Sequence, residues 1–207
     1  MHKGLLMFLV LWLSGCAVGN KYQYQTSSIA LPVRTDSGTT VILTVEDGRP
    51  YVLSGEKPAS FIGLQRGGFG NPFDVSTATG RSMTEDMAEA IETSLVDAGY
   101  KVVNAMGEAN LEKLVKRAVE DGASRILLLK VRDWKSDIYL AITLHCDLEL
   151  RIYDAQGVQL AENEMRFVEE VGGGLIGDSA NSQFMSDEFS KRIGYLFNRK
   201  SIRDSLQ

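Results

Sequence analysis

Between Ile138 and Ile152 every second residue is apolar: Ile138, Leu140, Ile142, Leu144, Cys146, Leu148, Leu150 and Ile152. The alternate set holds Tyr139, Thr143, His145, Asp147, Glu149 and Arg151. Period two over this length predicts one continuous antiparallel strand with a core face and a wet face. Asp154-Ala155-Gln156-Gly157 then predicts a hairpin turn into VQLAENEMRFVEEV. Upstream, SRILLLKVRDW reads as a strand buried on both faces through Leu127–Leu129, and TTVILTVEDGR as a first strand ending at Asp47-Gly48. YKVVNA adds another short strand.

Elsewhere the period changes to that of a helix. Ser82 with Glu85 three residues on is a capping box, and Met83, Met87, Ile91, Leu95 and Ala98 form an inward stripe that stops at Gly99. A second helix is expected over about 109–121, with Leu111, Leu114, Val115, Ala118 and Val119 on one face. A third covers about 179–197, with Phe184, Phe189, Ile193, Leu196 and Phe197 inward. The order β-α-β-α-β-β-β-α predicts a two-layer α/β (α+β) sandwich: a mixed, largely antiparallel sheet with helices packed on one face. The stretch 50–81 interrupts it, carrying three of the four prolines and many glycines. It reads as a long functional or mobile segment, with YVLSG and SFIGL as short edge strands at most.

The amino terminus follows neither period. Met1-His2-Lys3 precedes an apolar run from Leu5 to Leu13, far short of the roughly 20 residues that span a bilayer but right for a secretory signal. Leu13-Ser14-Gly15-Cys16 resembles the lipobox of bacterial lipoproteins. That resemblance implies cleavage after residue 15 and acylation of Cys16, and two or more chains give stable anchoring. Ala17, where Asp would signal inner-membrane retention, implies the outer membrane, with the domain facing the periplasm. The plainer alternative is an ordinary secretory signal with a chance cysteine. The expected organisation is a signal over 1–15, an acylated Cys16 with a polar tether through 28 reaching about 40 Å when extended, and one domain over 29–200.

Charge narrows the partners. The net charge is −5 and no basic block occurs, which argues against nucleic acid. No second apolar stretch is long enough to cross a membrane. If Cys16 is acylated, Cys146 stands alone and no intrachain disulfide forms.

Candidate chemistry is sparse. His145 is the one histidine outside the signal, and a metal site would have to combine it with Asp147, Glu149 and carboxylates of a neighbouring strand such as Glu162 or Glu164; a solvated sheet face is the simpler account. His145 and Cys146 are adjacent on a strand and so point to opposite faces. GGGLIGD lacks the Lys-Ser/Thr of a phosphate loop and reads as a turn. No cofactor, metal or catalytic residue is therefore expected. GLQRGGFGNPFD, residues 63–74, leaves two readings open: Phe69 and Phe73 fold back onto the core, or Arg66, Phe69, Asn71 and Phe73 present an aromatic and polar contact loop. Trp134 is read as closing one end of the sheet or as an interfacial side chain.

The combination of lipobox, VEDGRP after the first strand, ETSLVDAGYKV and the final hairpin and helix is similar to YajG-type outer-membrane lipoproteins. The pattern of a helix ending in Gly-Ala before an ILL strand resembles the amino-terminal domain of TolB and lipoproteins of the CsgG and LpoB kind. The resemblance covers about 39–197, implies a membrane-anchored α/β domain and brings no catalytic residues with it. The expectation is a non-catalytic lipoprotein that binds another envelope component through Arg66, Phe69, Asn71, Phe73 and His145, with room for a homo-oligomer. The alternative is a binder or carrier of a small apolar ligand held between helices and sheet.

Overall fold

The structure is a computed structural model that describes residues 19–174 and 177–207. The signal over 1–15 and Cys16 lie outside the described residues. Eight strands and five helices are found among those described: β1 (Lys21–Tyr22), β2 (Thr40–Asp47), α1 (Pro50–Leu53), β3 (Phe61–Arg66), β4 (Pro72–Thr77), α2 (Met83–Asp97), β5 (Lys101–Asn104), α3 (Leu111–Glu120), β6 (Arg125–Ile138), β7 (Ile142–Asp154), β8 (Gln159–Gly172), α4 (Asp178–Phe197) and α5 (Lys200–Ser205). This is the mixed α/β architecture expected from the two periods.

β6 is the axis. Its first half pairs in parallel with β2, its last residues pair in parallel with β3, and its whole length pairs antiparallel with β7, which pairs with β8. β5 extends the sheet beyond β2, and β4 then β1 beyond β3. The expected single strand over 138–152 is broken by a tight turn at Tyr139–Ala141, across which Ile138 pairs with Ile142. A three-residue turn preserves the parity of the alternation, so the sequence hides it. Both isoleucines stay in the core, whereas Leu140, expected inside, is 64% exposed.

α2, α4 and α5 form the helical layer over Val41, Leu43, Leu127, Leu129, Trp134 and the apolar side of β7. α3 covers a patch on the other face, where Leu114 and Ala118 meet Ile42, Ile126 and Leu128. That second patch is why ILLL reads as buried on both faces. The Ser82–Glu85 capping box forms as expected, and Asn110 caps α3 by accepting from the Lys113 amide. Val119, placed on the inner stripe by its spacing, is exposed at the end of α3.

Three boundaries are corrected. The tether expected through residue 28 is packed from Gly19 onward: β1 pairs with β4, Tyr22 and Tyr24 are fully buried, and Ser186 Oγ donates to the Gln23 carbonyl at 2.7 Å. Its tyrosines fill the gap beneath α4, a contact that no local pattern records. The domain also continues past 200, because Ile202 of α5 and Leu206 just after it are buried and Tyr100 Oη donates to the Leu206 carbonyl at 3.0 Å. Finally, the 50–81 segment is built of regular elements. YVL lies in helix α1, and SFIGL supplies β3, an interior strand between β4 and β6.

Candidate interaction surface

Along β6 the sequence Val131-Arg132-Asp133-Trp134 carries a bulge, seen as a register shift against β7 between Val131 and Asp133. One extra residue lets Val131 and Trp134 both enter the core while Arg132 and Asp133 stay on the opposite face. Inside, Trp134 meets Phe189 and Tyr24 edge-on at ring-centroid distances of 6.0 and 6.2 Å, and its indole N–H donates to Tyr24 Oη at 3.1 Å. The interfacial reading of this tryptophan does not hold, because its side chain is fully buried.

Outside, Arg132 gathers three carboxylates. Its Nε lies 2.8 Å from Asp147, Nη1 3.3 Å from Glu149 and Nη2 3.1 Å from Glu164. Arg166 reaches Asp147 at 3.5 Å, Arg151 pairs with Glu149, and Lys130 holds Glu46 at 2.8 Å. Burial works to lower the Arg132 pKa, but its carboxylate partners raise it above the ordinary value. The guanidinium thus occupies the place a cation would need beside Asp147 and Glu149. Among the described residues no group of three His, Cys, Asp or Glu side chains is arranged to hold a metal.

His145 lies on this face between Lys135 of β6 and Val168 of β8. Cys146 points the other way into the core, where desolvation pushes its thiol up to about 12, so it is inert at neutral pH. Tyr51 of α1 donates to Asp133 at 2.9 Å, and Lys135 Nζ sits 5.2 Å from the Tyr51 ring centre. Tyr51, Asp133 and Lys135 line an open groove of about 550 Å³ running from Pro50 past Arg132 to Arg166 and Val168. Val168 is 63% exposed at its far side. Tyr51, Arg132 and Val168 were not singled out in the sequence; the only available signal was the paired outward residues Arg132-Asp133 ahead of a tryptophan.

The VEDGRP motif has a structural role. Arg49 is fully buried, donates to both carboxylate oxygens of Asp47 at 2.8 and 2.7 Å, and also to the Ala59 carbonyl at 3.0 Å and to that of Phe61. It pins the entry to α1 against the start of β3, and so sets the position of Tyr51 over the groove.

The five residues proposed for partner contact separate into two places. Arg66, Phe69, Asn71 and Phe73 belong to the β3–β4 hairpin, whose turn closes through the Gly67 amide donating to the Asn71 carbonyl at 2.9 Å. Phe69 stands at its tip, 99% exposed, whereas Phe73 is half-buried. The fold-back reading therefore does not hold for Phe69. Arg66 grips Asp137 with two hydrogen bonds at 2.8 and 2.6 Å, which hold that carboxyl below the ordinary range. Asp137 is two residues from Lys135, so this pair ties the hairpin to the end of the His145 face.

A second concavity, about 670 Å³, is polar and open, lying between residues 20–28 and α4 and lined by Asn20, Gln23, Ser27, Ser182 and Ser186. Between the helices and the sheet, Tyr24, Met83, Met87, Trp134 and Phe189 fill the space that an apolar ligand would need.

No family model matches the sequence, and no curated protein matches it. Among solved structures the chain is similar to protein XCC0632 from Xanthomonas campestris, at 11% identity and a TM-score of 0.47, over 83% of this chain and 92% of that one. Lipoprotein GNA1162 from Neisseria meningitidis is similar at 13% identity and a TM-score of 0.43, over 76% and 99%. The LpoB C-terminal domain from Escherichia coli is similar at 11% identity and 0.33, over 61% and 80%. The LpoB likeness is a loose one of layout, and kinship with YajG-type proteins is not shown. At these values nothing about binding or activity carries over.

Proposed function

We propose that this chain is a lipid-anchored, non-catalytic outer-membrane lipoprotein whose periplasmic domain binds another envelope component through the part of the outer sheet face around His145 that α3 leaves uncovered. The observation that carries the reading is the groove between Tyr51 and Val168. It is an amphipathic surface in which an exposed valine and a tyrosine flank cations held by ion pairs. Arg166 and Lys135 are the least committed of these, with nearest carboxylates at 3.5 and 3.9 Å. A partner segment bearing a carboxylate beside an apolar side chain fits that surface, with burial over Val168 supplying affinity and the charges setting register. No helix among the described residues is long and apolar enough to cross a membrane, so attachment in this reading rests on Cys16. The apolar-carrier alternative has less support, because aromatic side chains fill the interlayer space.

The test is in-cell photo-cross-linking from position 168, with position 53 on exposed Leu53 as the control, in wild type and in Cys16→Ser. A product specific to position 168 that weakens in Cys16→Ser and disappears in Lys135→Glu supports an anchored binder. Equal background products from 168 and 53 in acylated protein would sink it.

A further inference from the structure

Packing of the chain from Gly19 onward leaves a short leash. Only residues 17 and 18 separate Cys16 from Gly19, so the backbone of Cys16 lies within about 11 Å of Gly19 even if the link is fully extended. Gly19 itself is locked in place: a Cβ there would stand 1.8 Å from the Asp74 carbonyl oxygen. From it the chain runs parallel to β4, with Lys21 beside Ser76 and Tyr22 beside Thr77. Traced backward from Gly19, that direction leads past Asp74 toward Pro72 and the β3–β4 turn. The turn rises about 10–13 Å beyond Asp74, a height that matches the reach of a three-residue link from Gly19.

A second tip stands beside the first. β3 and β6 are parallel, with Gln65 beside Ile138, which brings the turn at Tyr139–Ala141 to the same end of the sheet as the turn at Gly67–Asn71. Phe69 is 99% exposed there, Leu140 64% and Tyr139 52%. A Cβ at Gly68 or Gly70 would meet nothing within 4 Å, so the first tip projects clear of the domain. The charges flanking it are neutralised, Arg66 by Asp137 and Lys57 by Asp74, each at 2.6 Å.

The geometry points to a phospholipid surface as the occupant of these tips: the β3–β4 and β6–β7 hairpins set Phe69 and Leu140 into the headgroup region beside the acylated cysteine, with Tyr139 at the interface. Aromatic side chains favour that depth, and so short a leash leaves no room for the domain to stand off. The inference rests on acylation of Cys16, as in the function proposed above. It assigns Phe69 to lipid and leaves the His145 face for the partner.

The test uses the mature acylated protein in vesicles of phosphatidylethanolamine and phosphatidylglycerol, with or without brominated acyl chains. Trp134 is the only tryptophan after residue 15 and is fully buried, so it serves as an unquenched reference. Phe69→Trp and Leu140→Trp are each expected to shift to the blue and to lose most of the added emission to bromine. Val119→Trp, exposed beside the start of β6 at the far end, should lose none. Unquenched, red emission from both tip variants overturns the inference while leaving the anchor intact. A blue shift without quenching also overturns it and shows a protein surface over the tips. Mass spectrometry of the same samples separates the two readings, because Cys16 without acyl groups would remove the anchor and the leash together.

Discussion

Trp134 and Arg132 are two residues apart on one strand, yet they work in opposite physical regimes. Trp134 enters a space closed by α4 and the amino-terminal segment, where every surface is a side chain and the indole N–H finds a tyrosine oxygen. Arg132 faces solvent, and its position is set by three carboxylates in place of close packing. Burial makes the first region stiff and costly to change. Ion pairing leaves the second polar, correctable and open to a partner. A sheet covered by three helices on one side, and charge-laced beyond α3 on the other, can keep its fold while its outer face changes.

The sharpest attempt to break this contrast is Trp134→Ala, expected to lose about 3–5 kcal/mol because the cavity cannot close between Tyr24 and Phe189; chemical denaturation measures it. Arg49 tests a mixed case, a buried charge with one carboxylate. Arg49→Met strands Asp47 and should cost about 3 kcal/mol in the same assay. Tyr24→Phe removes only the acceptor of the indole proton and should cost about 1–2 kcal/mol. On the open face, Arg132→Ala should cost about 1 kcal/mol or less, with a loss that shrinks as salt is added. A loss comparable to that of Trp134→Ala would erase the distinction between the two faces.

The smallest effect concerns pH. Arg66 hydrogen bonds, acting against partial burial, hold the Asp137 carboxyl below its ordinary value of 3.8. A depressed carboxylate contributes stability above its unfolded pKa and loses it as pH falls through the folded value. The stability difference between wild type and Asp137→Asn should therefore be constant near neutrality and vanish in strong acid, read from thermal melts across the acid range. A difference that grew on acidification would contradict the pairing.

The fold was legible wherever adjacent residues carry the information. The capping box at Ser82, the wet face with His145, Asp147 and Glu149, and the inward Phe189, Ile193 and Leu196 all follow from periods of a few residues. The candidate surface was half legible: His145 could be placed on a solvent face, but its neighbours Val168, Lys135 and Tyr51 come from three other elements. Phe69 was ambiguous for a different reason. A glycine-rich hairpin has no strong period, and whether its aromatic residue turns inward depends on whether the core still has space.

By itself the sequence determined the two alternating layers, the faces of β7, the caps of α2 and the spacing of the cysteine that resembles a lipobox. Those features depend on backbone geometry and on side chains a few positions apart. Only the tertiary structure decided that β3 lies inside the sheet, that a bulge sends Trp134 and Arg132 to opposite faces, and that residues from Gly19 onward belong to the domain. Each of these depends on which distant surface is left to be covered. The two tyrosines at 22 and 24 sit in a polar stretch, and only the vacancy under α4 draws them in. Their burial shortens the link to Cys16 from a long tether to a few residues.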